Sequence, residues 1–135
     1  MPLKTFTVEE ASRLIPVISA IFDKITSIRV KMGLIRESVD YAGVAKPDFQ
    51  ESPQKLAERM KALTEEVKKH AAEVQAYGCI LKDLDNYLVD FSSIVDGKPA
   101  FLCWRYGEDQ IKYWHGQESG YTGRIPLTAI RQETK

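Results

Sequence analysis

The sequence predicts an α+β protein in which an N-terminal antiparallel helical hairpin precedes a small antiparallel β-sheet of three to four strands. Two observations lead to this prediction. Apolar residues in the first half recur in steps of four and three, as in coiled-coil-like helices, whereas the second half has short aromatic and β-branched runs between turns. We expect a single domain over 1–135, with a helical arm at 6–77 and the sheet, including a loop with Gly and Arg, at 78–135.

The first helix is expected to begin at about Val8. Thr7 and Glu10 have the Thr-x-x-Glu spacing of a capping box, which satisfies backbone N–H groups at a helix start. One face of the helix is then apolar over its whole length, through Leu14, Ile18, Ile21, Ile25, Ile28, Met32, Ile35 and Val39. Gly and Pro residues between Tyr41 and Pro53 predict the tip of the hairpin.

The second helix is expected to run from about Gln54 to Tyr77, with Gly78 as its C-cap. Its apolar face repeats the same spacing, through Leu56, Met60, Leu63, Val67, His70, Val74 and Tyr77. Two antiparallel helices bury these faces against each other, and faces of this length also favour a second copy of the chain. We therefore expect a homodimer formed through the helices.

A first β-hairpin is predicted at Asp96-Gly97, a dipeptide that favours two-residue turns between antiparallel strands. Pairing the residues on either side of this turn places Asp90 opposite Cys103, whereas a bulge at Pro99 would shift the register by one residue and reverse the face. Side chains that lie opposite each other in an antiparallel pair share one face of the sheet. A further strand at Cys79–Asp83 is expected before this hairpin.

A second hairpin turns through a five-residue loop that contains Gly. If Arg105 pairs with Ile111, Cys103 lies opposite Tyr113, and His115 lies on the diagonal from Cys103. Diagonal neighbours on one face remain within reach of long side chains. The two hairpins together therefore predict that Asp90, Cys103 and His115 share one face.

This register divides the sheet into an apolar face and a polar face. The apolar face carries Val89, Phe91, Ala100, Leu102, Trp104 and Trp114. The polar face carries Asp90, Ser92, Cys103, Arg105, Tyr113 and His115, with Leu88, Phe101 and Ile111 among them. A sheet packed on one side exposes the other, so we expect the polar face at the surface, with Cys103→Ser and His115→Ala leaving folding nearly intact. A solvated face with an Asp90–Arg105 contact is the simplest interpretation, but this mixture of reactive side chains also suits a binding site.

Composition excludes some partners. The 135 residues contain 19 Lys plus Arg and 19 Asp plus Glu, so no bulk charge attracts nucleic acid or an anionic membrane. The chain has only two cysteines and no apolar run of transmembrane length or signal peptide. We expect a cytoplasmic protein with no nucleic-acid partner and no membrane association.

Several motifs carry a family resemblance, namely Val89-Asp90-Phe91, Gly97, Leu102-Cys103-Trp104-Arg105, Gly107-Glu108, Tyr113-Trp114-His115, Gly120 and Gly123-Arg124. With the opening Phe6-Thr7-Val8-Glu9-Glu10-Ala11 and Leu14-Ile15-Pro16, they resemble the prokaryotic family known as domain of unknown function 2203 over nearly the whole chain. The family pattern has Pro for Ser92, Glu for Gly116 and Phe for Tyr121. The resemblance implies fold and membership, and it implies no activity.

Three classes of function remain, and the first is binding at the polar face. The residues that would bind a small molecule are Asp90, Arg105, Glu108, Tyr113, His115 and Arg124. An anion would use Arg105 and Arg124 with backbone amides at Gly120 and Gly123. Asp90, Cys103 and His115 suit zinc because they offer oxygen, sulfur and nitrogen, and three protein ligands leave a coordination position open.

The second class is a Cys/His enzyme, in which Asp90 orients His115 beside a Cys103 nucleophile and Glu108 acts as acid or base. The third is a coiled-coil interaction module that needs no small ligand. We favour non-catalytic binding of a small ligand or anion on the polar face, with the helical arm used for self-association. A zinc-dependent or Cys/His enzyme and the interaction module are the alternatives.

Overall fold

The computed structural model describes residues 4–40, 52–118 and 123–127, which form two helices followed by five strands. The elements are α1 (Val8–Asp40), α2 (Pro53–Ala76), β1 (Ile80–Asp83), β2 (Leu88–Val95), β3 (Lys98–Arg105), β4 (Tyr113–Gly116) and β5 (Ile125–Pro126). The α+β class is confirmed, with one strand more than the three to four expected. The hairpin tip at 41–51 and the predicted anion ligand Gly120 lie outside the described residues.

Side-chain caps determine where both helices begin. Glu10 N–H donates to Thr7 Oγ1 (3.1 Å) and Thr7 N–H donates to Glu10 Oε1 (2.9 Å), so the predicted capping box forms. The backbone hydrogen bond from Thr7 lowers the pKa of Glu10. In α2, Ser52 is the N-cap and accepts from the N–H of Lys55 (3.2 Å). The predicted start of α1 at Val8 is therefore confirmed, and α2 begins within one residue of the expected position.

The apolar faces of α1 and α2 pack against each other within one chain. The predicted positions that are buried are Ile18, Ile21, Ile25, Ile28 and Ile35 in α1 and Leu56, Val67 and Val74 in α2. Leu14, Met32, Met60, Leu63 and His70 are half-buried. The prediction was wrong for Tyr77, which is 40% exposed because it lies beyond the end of α2, where it takes the C-cap position that was expected for Gly78.

The five strands follow one another across the sheet in chain order, and every pair is antiparallel. Asp90 pairs with Cys103, and Cys103 pairs with Tyr113, as predicted. The predicted pairing of Arg105 with Ile111 was wrong, because β4 begins only at Tyr113. The register nevertheless agrees with the prediction from Tyr113 onward, which places His115 opposite Phe101.

Both helices contribute to a core on the apolar face of the sheet. The core residues of the sheet and helices include Val89, Phe91, Leu102, Trp104, Ala11, Ile18, Phe22, Ile25, Val67 and Val74. Phe22 stacks on Trp104 with ring centroids 6.0 Å apart. Ile111 also belongs to this core, contrary to its predicted place on the polar face. It precedes β4 and is outside the strand ladder, so the alternation of side chains does not apply to it.

The segment before α1 is tied to β2. Phe6 N–H donates to the carbonyl oxygen of Ser92 (2.7 Å), and the hydroxyl of Ser93 donates to the carbonyl oxygen of Phe6 (2.6 Å). The Phe6 ring meets Phe91 edge-on, with centroids 5.2 Å apart. These contacts fix the start of α1 relative to the sheet.

The part of the polar face that holds Asp90, Cys103 and His115 is buried, which corrects the expectation that these residues lie at the surface. Asp90 is 3% exposed, Cys103 1% and His115 3%. Leu88 is buried on the same face, and Nη1 of Arg124 lies 3.7 Å from Cys103 Sγ. The prediction that Cys103→Ser and His115→Ala hardly affect folding assumed that both residues are exposed, and this assumption was wrong.

Candidate functional site

Three consecutive strands bring Asp90, Cys103 and His115 together. Asp90 of β2 lies opposite Cys103 of β3, and His115 of β4 lies one diagonal away. One carboxylate oxygen, the Cys103 sulfur and one imidazole nitrogen all lie within 4.8 Å of one another. We call these three residues the Asp–Cys–His cluster. They are the set that the sequence predicted as metal ligands.

The orientation of His115 is fixed through both ring nitrogens. Nδ1 lies 2.9 Å from the carbonyl oxygen of Gly116, and Nε2 lies 3.1 Å from Asp90 Oδ1. Since a carbonyl oxygen only accepts hydrogen bonds, Nδ1 carries a proton. Nε2 is therefore the nitrogen that faces Asp90, and the proton of this contact would have to leave before Nε2 could bind a metal ion. A metal-binding histidine commonly has this arrangement, with its second nitrogen donating to a carbonyl oxygen.

Cys103 has the environment of a buried thiol. Burial raises its pKa to about 11, and although a hydrogen bond from Arg124 opposes this increase, the nearby carboxylate of Asp90 adds to it. A thiol with such a pKa is a poor nucleophile at neutral pH, because little thiolate is present. His115 faces Asp90 and Gly116, and no hydrogen bond joins it to Cys103 among the described residues. This geometry disfavours a Cys/His nucleophile.

Arg124 and Glu108 form a clasp beside the cluster. Arg124 Nη2 donates to Glu108 Oε2 (2.7 Å), Arg124 Nη1 donates to Cys103 Sγ (3.7 Å), and the guanidinium lies 3.9 Å from the centroid of the Tyr113 ring. Burial would lower the pKa of Arg124, but its hydrogen bonds to Glu108 and Cys103 raise it. The positive charge next to Cys103 is therefore already paired with a carboxylate, which weakens the case for an anion site.

The remaining predicted ligand is outside the cluster. Arg105 is exposed at the end of β3, and its backbone N–H donates to Glu108 Oε1 (2.6 Å). Among the residues that the structure describes, the carboxylate of Asp90 is paired with His115 and the predicted Asp90–Arg105 contact is not formed. Gly123 is described and exposed, whereas its proposed partner Gly120 is not described.

Two contacts of the site were not predicted. The carbonyl oxygen of Gly116 holds His115, and the Phe101 ring lies against the imidazole with centroids 5.3 Å apart. A backbone carbonyl leaves no signal in the sequence. The Phe101 contact could have been found, because the predicted register already placed Phe101 opposite His115.

The fold and the cluster define a class of protein, an α+β chain in which a helical hairpin covers one face of an antiparallel meander and the other face holds a buried carboxylate, thiol and imidazole. A family model matches residues 4–127, and its description is Uncharacterized conserved protein (DUF2203). The chain belongs to this family, as its motifs had suggested. Neither the curated proteins nor the solved structures contain a match to the chain. Neither α1 nor α2 contains an apolar stretch that could span a membrane.

Proposed function

We propose that the protein binds a divalent transition metal ion, zinc in the first instance, through Asp90, Cys103 and His115. The observation that carries this proposal is the convergence of three different donor atoms within 4.8 Å in a buried position. A tetrahedral zinc ion separates its ligand atoms by about 3.3 to 3.8 Å, so the donors lie within about 1.5 Å of the required spacing. A thiolate and a carboxylate would also balance the two positive charges of the ion.

The contacts of Arg124 and Cys103 support anion binding and Cys/His catalysis less well than metal binding. Anion binding is less well supported because the guanidinium of Arg124 is paired with Glu108 at 2.7 Å. A Cys/His enzyme is less well supported because burial raises the pKa of Cys103. Three protein ligands leave a fourth metal position open, as in catalytic zinc sites, so a metal-dependent reaction is the enzymatic alternative.

The test is the metal content of the untagged protein, measured by plasma mass spectrometry after zinc loading and removal of free metal. We expect about one zinc per chain, and a loss of at least about tenfold in zinc affinity for Cys103→Ser. Cys79→Ser is the matched control, because Cys79 is also a free, buried cysteine with a pKa raised to about 11 by burial. Its thiol donates to the carbonyl oxygen of Val74 (3.2 Å). Metal-free wild-type protein, or equal binding in both variants, would refute the proposal.

A thiolate ligand also bears on location. Both cysteines are free in the structure. Cysteine that must bind metal is maintained where disulfides do not form, which is the condition of a reducing compartment. We therefore propose a cytoplasmic location.

Self-association through the helical arm is a second proposal. Because α1 and α2 bury their apolar faces against each other within the chain, a homodimer would need another surface. Val30 and Leu34, one turn apart on α1, are each 60% exposed and supply an apolar patch for a second copy. We expect Leu34→Glu to shift the protein to monomer in analytical ultracentrifugation, whereas Val17→Glu, at a 38% exposed position of α1, leaves a dimer. A wild-type monomer at high concentration would contradict this.

A further inference from the structure

A pocket lies on the polar face beside the Asp–Cys–His cluster. It has a volume of about 240 Å³, and its lining includes Thr5, Ser92, Ile94, Pro99, Phe101 and Gln117. Among the described residues that line it, none carries a charge. We call it the side pocket.

The strand register places the side pocket next to the cluster. Ser92 and Ile94 follow Asp90 on β2 by two and four residues, so all three side chains share the polar face. Ser92 lies opposite Phe101, and Phe101 lies opposite His115. The Phe101 ring therefore contacts the imidazole of His115 and also lines the side pocket.

The lining indicates the kind of molecule that fits. The volume is below the range of about 300 to 1,000 Å³ typical of sites for drug-sized ligands, so the occupant is small. Phe101, Ile94 and Pro99 offer apolar walls, while the hydroxyl of Thr5 and the amide of Gln117 offer hydrogen bonds. A charged ligand would find no compensating charge among these residues, and burying it there would be costly.

We propose that the side pocket binds the organic part of a small, uncharged molecule whose nitrogen or oxygen atom coordinates the metal of the Asp–Cys–His cluster. This inference rests on the proposed metal binding and adds to it a class of ligand. A metal ion held by three protein ligands would have an open coordination position, and the pocket offers an apolar surface along the same face.

The experiment compares two probes on cobalt-loaded, full-length protein. Imidazole supplies a metal-coordinating nitrogen alone, and 4-phenylimidazole supplies the same nitrogen with an uncharged ring attached. Binding is followed by the change in the visible absorption of cobalt. We expect 4-phenylimidazole to bind at least about tenfold more tightly than imidazole, because its phenyl ring is buried in the side pocket.

Two variants test whether the preference for 4-phenylimidazole depends on the side pocket. Ile94 is 38% exposed, so Ile94→Trp adds bulk at the pocket without disturbing the core. We expect this variant to bind imidazole normally and to lose the preference for 4-phenylimidazole. Val17→Trp is the matched control, because Val17 is also 38% exposed and lies on α1, away from the pocket. It should keep the preference, and thermal unfolding should show that both variants are folded.

The outcomes separate the two proposals. If cobalt does not bind, the proposed metal site is wrong and this inference fails with it. If cobalt binds but the two probes bind equally, metal binding stands and the side pocket has no role in ligand binding. A preference that persists in Ile94→Trp would likewise overturn the inference, because the phenyl ring would then be bound elsewhere.

Discussion

Replacing Trp104 with Ala is expected to lower the free energy of unfolding by about 3 to 5 kcal/mol. Trp104 is fully buried and stacks on Phe22, so its removal leaves a large cavity between the sheet and α1. Its Nε1 also donates to the carbonyl oxygen of Glu108 (2.9 Å), which would lose this partner. Because the side chain of Glu108 holds Arg124, the substitution should also loosen the clasp beside Cys103.

Urea denaturation followed by circular dichroism measures the effect of this substitution. Trp114→Ala is the matched control, because Trp114 is only half-buried and its Nε1 has no hydrogen-bond partner among the described residues. We expect the control to cost clearly less than Trp104→Ala. Equal costs for the two variants, or a cost below about 1 kcal/mol for Trp104→Ala, would show that Trp104 does not anchor the core as described.

Replacing His115 with Ala is expected to destabilise the metal-free protein by about 3 to 5 kcal/mol. The side chains of His115 and Asp90 are 3% and 4% exposed, and they are joined by a contact of 3.1 Å. Removing the imidazole leaves the carboxylate of Asp90 buried without its partner. This result would be opposite to the one expected from the sequence, which treated His115 as a surface residue.

The measurement is urea denaturation in the presence of a chelator, so that lost metal does not contribute. His70→Ala is the control, because His70 makes a 3.1 Å contact with Glu73 but both side chains are more exposed, at 18% and 41%. We expect this control to cost less than about 1 kcal/mol. Asp90→Ala combined with His115→Ala should cost less than the sum of the two single changes. Additive costs would show that the two residues do not interact.

The sequence was sufficient to predict the helices and most of the register. The capping box at Thr7 locates the start of α1, and Asp96-Gly97 sets the pairing of β2 with β3. Side-chain alternation then places Asp90, Cys103 and His115 on one face without any knowledge of the fold. These signals are local, and each depends on residues close together in the chain.

Burial of the Asp–Cys–His cluster could not be predicted, because side-chain alternation does not show what packs over a face of the sheet. Arg124 lies after β4 in the chain and contacts Cys103 and Glu108. No periodic pattern in the sequence predicts these contacts. The strand β5 has only two residues, one of them a proline, so it carries no alternation. Gly116 orients His115 through its backbone carbonyl oxygen, which any residue at this position would supply.

The chain-order arrangement of the strands has a consequence for folding kinetics. All members of the Asp–Cys–His cluster come from residues 90–115, and closing two hairpins brings them together. Isolated hairpins form in roughly 1 to 10 μs. The hydrogen bond from Ser93 to Phe6, by contrast, joins residues 87 positions apart. Contacts of such long range form slowly, so we expect the ligand set to assemble before the N-terminal segment docks on the sheet.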